Sequence, residues 1–359
     1  MKIPFFKQIS LGSIFISLFL LGAGCFGGTS ATPPAGPDLG IWKTSDGGAS
    51  WVHKLALVDG PKVTADAANL NVQAISFDPQ DRLAVYAGTV ENGLAYSYNG
   101  GDSWQIFKSL EAKNVKNIVV DSKNKCTIYA SSDNKIYKTT DCGRDWEIVF
   151  FDPRTDKVYT ALIADWFNPT ILYAGTNDGD ILKSIDEGKS WQVVKRANAG
   201  ITSLVLGAQD SRMIFAGTDG DGIWKSFDGG VTWIQIKNEF GDIGGRRVVK
   251  IIPDRVDSNL IYLLYKGGIA KTADQGQTWV NLNLFGNAGE NAVADLDIDP
   301  NNPKHLVYTG PTALVFSNDA GQTWEAKKLP TANFGTVVKF DPKDGNIVYL
   351  GIVKNPRAR

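Results

Sequence analysis

One eight-residue pattern, Ser/Thr-x-Asp-x-Gly-x-Ser/Thr-Trp, returns seven times along this chain with small departures, and nothing else in the sequence restricts its fold as tightly. The copies are TSDGGASW from Thr44, SYNGGDSW from Ser97, TTDCGRDW from Thr139, SIDEGKSW from Ser184, SFDGGVTW from Ser226, TADQGQTW from Thr272 and SNDAGQTW from Ser317. Their closing tryptophans, Trp51, Trp104, Trp146, Trp191, Trp233, Trp279 and Trp324, keep a period of roughly 45 residues, the length of one supersecondary unit in a repeat protein.

The residue types describe a turn between two antiparallel strands. Asp46, Asn99, Asp141, Asp186, Asp228, Asp274 and Asp319 hold the position whose side chain can accept hydrogen bonds from turn N–H groups, and the glycine present in every copy tolerates a positive φ. The tryptophan then wedges beneath the turn. A residue repeated in every unit reports architecture rather than a site, so these seven side chains read as structural. Around each turn the strands repeat as well. An apolar strand often ending in Asp-Pro comes first (AISFDP from Ala74, DLDIDP from Asp295, VVKFDP from Val337), followed by VYAGT from Val85, LYAGT from Leu172 or IFAGT from Ile214. A third strand leads into the turn and a fourth leaves it. Four short strands per unit predict an all-β, seven-bladed β-propeller of four-stranded antiparallel blades. Small Ala and Gly in the second strand would let backbones crowd toward the axis.

The ends predict how the ring closes. Only one strand, GIWK from Gly40, precedes the first turn, whereas VVKFDP and IVYLGI from Ile347 repeat a first and second strand and then stop. Joining them in one composite blade completes the seventh unit and hides both sheet edges. The organisation predicted is a lipoprotein-type signal peptide over 1–24, a flexible tether over 25–38 and a single propeller over 39–359.

The repeated turn resembles the Asp-box, or bacterial neuraminidase, repeat, from Gly40 to Ile352. Proteins of that kind include sialidases, xyloglucan hydrolases, the sortilin-type receptor ectodomain and photosystem II stability/assembly factor-like propellers. Blade number, single-domain length and leader are most similar to the assembly-factor group. The resemblance implies the propeller fold strongly and function weakly, since one scaffold serves enzymes, receptors and assembly chaperones.

The leader has basic Lys2 and Lys7, an apolar stretch from Leu11 to Gly24, and then Cys25. The segment LLGAGC resembles a bacterial lipobox, with Gly22 where a leucine is usual, so Cys25 is the expected lipidation site and the chain an exported lipoprotein facing the periplasm or cell exterior. An ordinary secretory signal without an anchor is the alternative. Cys126 and Cys142 are an even pair suited to an oxidising compartment and fall at one end of the same blade; a disulfide closing a loop of about 15 residues would add about 3 kcal/mol, the alternative being two free buried thiols. A formal net charge of -1 excludes the electrostatic footprint of a nucleic-acid binder. With His53 and His305 the only histidines and no CxxC or HxxxH spacing, neither a metal nor another cofactor is expected, and the propeller is expected to be a monomer.

Two function classes follow. A glycoside hydrolase of the sialidase or xyloglucanase-like class needs paired carboxylates across a cleft. Candidates on the loop face opposite the repeated turns are Asp178 and Asp180 in TNDGD, Asp219 and Asp221 in TDGDG, Glu91 and Glu290. A sialidase also needs an arginine triad and a Phe-Arg-Ile-Pro-like motif, and no such motif occurs; a two-propeller cleft would need a longer chain. The favoured expectation is a non-enzymatic binding or assembly scaffold that grips a protein or glycan on its loop face, with Arg246, Arg247 and Lys266 as further contact candidates and the Asp59–Gln73 connection as a second surface. A structural cell-surface module is a third reading.

Overall fold

The computed structural model describes residues 38–54, 56–59, 62–236, 247–284, 293–310 and 313–355. The chain divides into Met1–Gly36 and Pro37–Arg359, and the described residues belong to the second unit. The leader and Cys25, together with Arg246 and Glu290, lie outside the described residues.

Among the described residues, seven four-stranded antiparallel sheets form the body of this unit. Numbering blades from the composite one, their first strands are Phe334–Phe340 (blade 1), Val72–Phe77 (2), Val115–Val120 (3), Tyr159–Ala164 (4), Ile201–Leu206 (5), Val248–Pro253 (6) and Asp295–Ile298 (7). Each first strand packs against that of the next blade all the way round, so the seven close into a ring. Blade 1 joins the two ends of the chain as expected. Its strands run Val52–His53, Gly40–Thr44, Val348–Val353, Phe334–Phe340 from rim to axis, with Gly40 opposite Ile352 and Thr44 opposite Val348.

Apolar seams fill the space between blades. Ile41 and Tyr349 of blade 1 meet Val72 and Val85 of blade 2, and Tyr173 and Ile181 of blade 4 meet Ile201 and Ile214 of blade 5, all at most 1% exposed. Each such side chain contributes about 1.5–3 kcal/mol by leaving water. The second-strand glycines serve these seams rather than the axis, which corrects the sequence-based expectation. A Cβ at Gly217 would lie 2.3 Å from Val248 Cγ1, and one at Gly88 only 2.4 Å from the Val115 carbonyl oxygen, both in the following blade.

The repeated turn is built as its residue types require. In the first copy the Thr44 hydroxyl accepts from Gly48 N–H (2.9 Å) and donates to Asp46 Oδ1 (2.7 Å), which accepts from Ser50 N–H (2.9 Å). The same geometry recurs in the other copies, for example at Ser184, Asp186 and Gly188. Hydroxyl and N–H donors from Ser190, Thr232 and Thr323 hold the carboxyls of Asp186, Asp228 and Asp319 down at about 2. The invariant glycine has φ between +83° at Gly321 and +87° at Gly188, and Trp indoles pack over it, Trp104 Cζ2 lying 3.3 Å from where a Gly101 Cβ would sit.

Lysine clamps between blades were not anticipated from the sequence. The residue before the Ser/Thr is Lys43, Lys138, Lys183, Lys225 or Lys271 in five copies. Lys43 Nζ donates to Gly100 O (2.7 Å), Lys183 to Gly229 O (2.8 Å), Lys225 to Gln275 O (2.7 Å) and Lys271 to Ala320 O (3.3 Å), each in the turn of the next blade. Lys138 reaches Glu187 (2.8 Å). Where the lysine is missing, Tyr98 and Lys327 bridge to Cys142 O and Gly47 O instead. Burial pushes Lys225 down to about 8.

Two local features complete the picture. The Asp59–Gln73 connection, read as an open contact surface, belongs partly to a hairpin, Ala56–Asp59 with Lys62–Asp66. Val58 N–H donates to Trp104 O and Trp104 N–H to Ala56 O, so the hairpin covers the outer edge of blade 2 and Trp104 is fully buried. Cys126 and Cys142 form a disulfide, with Cα atoms 3.9 Å apart; Cys126 sits in the turn before the second strand, Ile128–Ser132, rather than opening it.

Candidate functional site

Because first strands run side by side around the axis, residues from all seven blades line one central cavity of about 390 Å³. The edge of each first strand that faces the axis has no fifth strand to pair with, so its polar backbone groups need partners. Side chains supply them at every junction. Thr336 donates to Val72 O (2.6 Å), Gln73 to Val115 O (3.0 Å), Asn117 to Tyr159 O (3.2 Å) and Thr160 to Ile201 O (2.5 Å). Ser203 accepts from Ile251 N–H (3.1 Å), and Lys250 donates to Leu296 O (3.1 Å). At the last junction Asp295 and Asp297 accept from Val338 N–H (3.1 Å) and Phe340 N–H (3.0 Å).

The same two aspartates carry the charge of the axis. Lys250 Nζ stands 2.5 Å from Asp295 Oδ1, and Lys339 Nζ 2.8 Å from Asp297 Oδ1. Burial lowers Lys250 and outweighs Asp295, which pulls the other way; for Lys339 burial is overcome by Asp297 and Asp295, and its pKa rises. Both lysines also line a second, more apolar cavity of about 590 Å³, which continues the axis to the mouth on the side of the repeated turns. Its rim is formed by loops between first and second strands. Each such loop accepts a backbone N–H from the repeated turn of its own blade, as Arg212 O does from Gly229 N.

The residues singled out from the sequence lie elsewhere. Asp178 and Asp180 are on the opposite face in blade 4, where both pair with Lys157 Nζ (2.6 and 2.8 Å), itself 2% exposed. Arg154 and Arg196 add further ion pairs at 3.5 and 3.4 Å. Asp221 in blade 5 accepts from Asn198 N–H, Trp224 Nε1 and Gln235 Nε2, bracing its own turn. Asp219 faces Arg247 at 3.4 Å, and their backbones form an isolated bridge. Lys266 is in the turn between the second and third strands of blade 6. Glu91 lines a separate recess of about 320 Å³ with Asp133 and Tyr137. None of these residues lines the axial cavity, so the structure spreads them over blades 2 and 4 to 6. The axial charges Lys250, Asp295, Asp297 and Lys339 were missed as a site, although DLDIDP gave a signal: two acidic residues at alternate positions of an otherwise apolar strand share one face.

No protein-family model and no curated protein matches the chain. Among solved structures, it is similar to a GH74 xyloglucanase from Xanthomonas campestris (TM-score 0.66, 18% identity, covering 79% of this chain and 51% of that one). It is similar to the GH74 enzyme of Niastella koreensis (TM-score 0.66, 19% identity, 79% and 51%). YCF48 bound to D1 peptide aligns with a TM-score of 0.62 and 19% identity over 81% of this chain and 94% of that one. These likenesses establish the seven-bladed propeller. The chain spans about half the length of these two GH74 enzymes.

Proposed function

We propose that this chain is a non-catalytic binding scaffold, displayed outside the cytoplasm on a lipid anchor at Cys25, whose propeller grips a protein partner. The observation that carries the reading is the commitment of the axial carboxylates. Asp295 and Asp297 are on one strand rather than across a cleft, and each holds a lysine and a backbone N–H of blade 1. A glycosidase needs one carboxyl free to give up a proton and a second placed across the bond. The likeness to YCF48, matched over 94% of its chain and seen bound to D1 peptide, supports the same reading.

The hydrolase reading draws on the likeness to a GH74 xyloglucanase, of which this chain matches about half. The two are separated by capture from membranes on the soluble 38–359 fragment, run beside a glycan-hydrolysis assay. A protein enriched by the fragment, and not by a heat-denatured control, is the expected result; glycan hydrolysis without enrichment would reject the proposal. Anchoring has its own test: Cys25→Ala should move the protein from the membrane to the soluble fraction.

A further inference from the structure

We infer that the turn-side mouth of the axis docks an extended apolar peptide segment carrying one acidic side chain, and that Arg255 receives that carboxylate. This rests on the binding-scaffold reading and names where the partner is held. The mouth cavity is walled largely by apolar groups such as Leu206, Ile252 and Ile298. At its edge Trp166 is 40% exposed and Val256 62%. Scattered exposed apolar residues are ordinary, whereas several around one concavity mark a surface that gains by being covered.

The rim is already fixed. Neighbouring first-to-second loops are bridged by Arg82 with Asp341, Gln80 with Asp121 O, Ser122 with Trp166 O, Trp166 Nε1 with Gly207 O, Gln209 with Val256 O and Asn301 with Pro342 O. Only the junction of blades 6 and 7 has no such bridge among the described residues. Arg255 lies on the blade 6 side of it, exposed and, among the described residues, without a side-chain hydrogen bond or ion pair, with Pro300 and Pro303 of blade 7 lining the same cavity.

Every other charged side chain of the cavity is committed. Lys250 and Lys339 hold Asp295 and Asp297, Asp254 accepts from Val256 and Asp257 N–H, and Asp299 accepts from Asn301 N–H and contacts His305. A guanidinium left over in an apolar mouth is complementary to a carboxylate, which its planar fork binds through two hydrogen bonds. The cavity that Arg255 lines is also lined by apolar Trp166 of blade 4 and by Pro300 and Pro303 of blade 7. The carboxylate therefore belongs within the segment, with apolar residues before and after it. A rim fixed in advance adds little ordering cost to binding.

The test uses the full-length chain and fluorescence anisotropy of a labelled peptide, acetyl-Pro-Leu-Glu-Leu-Pro-amide, its Gln counterpart, and the Gln peptide as a free acid. The Glu peptide should bind about tenfold more tightly than its Gln counterpart, as one charge-assisted pair provides. Arg255→Gln should remove that preference, Trp166→Ala should weaken both amides, and Arg212→Gln, whose partner Asp210 is outside the cavity, should change nothing. No binding, equal binding of Glu and Gln peptides, a preference that survives Arg255→Gln, or tighter binding of the free acid would each overturn the inference. Equal capture of a membrane partner by the unaltered and Arg255→Gln proteins would overturn docking at this mouth while leaving the scaffold reading intact.

Discussion

Thr336 donates its hydroxyl to the carbonyl oxygen of Val72, 264 residues earlier in the chain, at 2.6 Å. That bond crosses from the composite blade to blade 2, where the tail of the propeller meets its beginning. It is one of a ring of side-chain bonds in which first strands satisfy one another around the axis.

Removing this bond tests closure directly. Thr336→Val keeps the shape and deletes the hydroxyl, leaving the Val72 carbonyl without that donor, and should cost about 1 kcal/mol of stability in urea unfolding. Deleting 333–359 removes the first two strands of blade 1 and exposes the edge of Gly40–Thr44, so the truncated chain should fail to give a cooperative transition.

The repeated turn places its fourth residue in the left-handed region, and Ala320 does so at φ +60°. Ala320→Gly relieves that cost and should stabilise by about 0.5 kcal/mol, the gain being partly offset by unfolded-chain entropy. Gly321→Ala does the opposite: φ is +83° and the new Cβ would lie 2.6 Å from Leu282 Cδ1, so a loss of about 2 kcal/mol is expected from thermal denaturation.

Acid should loosen the wheel in a defined window. The turn carboxyls of Asp186, Asp228 and Asp319 sit at about 2 when folded, below the ordinary aspartate value of 3.8. The unfolded chain therefore takes up protons first, so their stabilisation is complete above the unfolded value and is lost as pH falls from there through about 2. Urea midpoints measured in steps across that range should fall with pH, and the fall should shrink in Asp228→Asn.

Asp178 and Asp180 are assigned to structure. Replacing both with Asn leaves the buried Lys157 without either carboxylate partner, which should cost about 3 kcal/mol, measured by urea unfolding. Partner capture by the variant under folding conditions should remain unchanged.

Much of the architecture was legible in the sequence because its causes are local. Glycine at a positive φ, an aspartate two places after a hydroxyl and a tryptophan closing the turn each act within eight residues, and the unpaired strands at the two ends point to each other. The axis was not legible for the converse reason. Whether Asp295 is a free acid or a clamp depends on Lys250 and Val338, which arrive from other blades. Asp178 and Asp180 stand among the carboxylate candidates of the loop face until Lys157 is placed between them. The mouth was overlooked because Arg255 gains meaning only when its neighbours in space are found to be paired.

We propose that the axial carboxylates hold the ring together and perform no catalysis. Reducing-end release from xyloglucan, followed for the unaltered protein and for Asp295→Asn and Asp297→Asn, tests it most directly. No release by any of the three, with both variants less stable than the parent, is the predicted outcome. Turnover by the unaltered protein that disappears when either carboxylate is neutralised in a folded variant would contradict it.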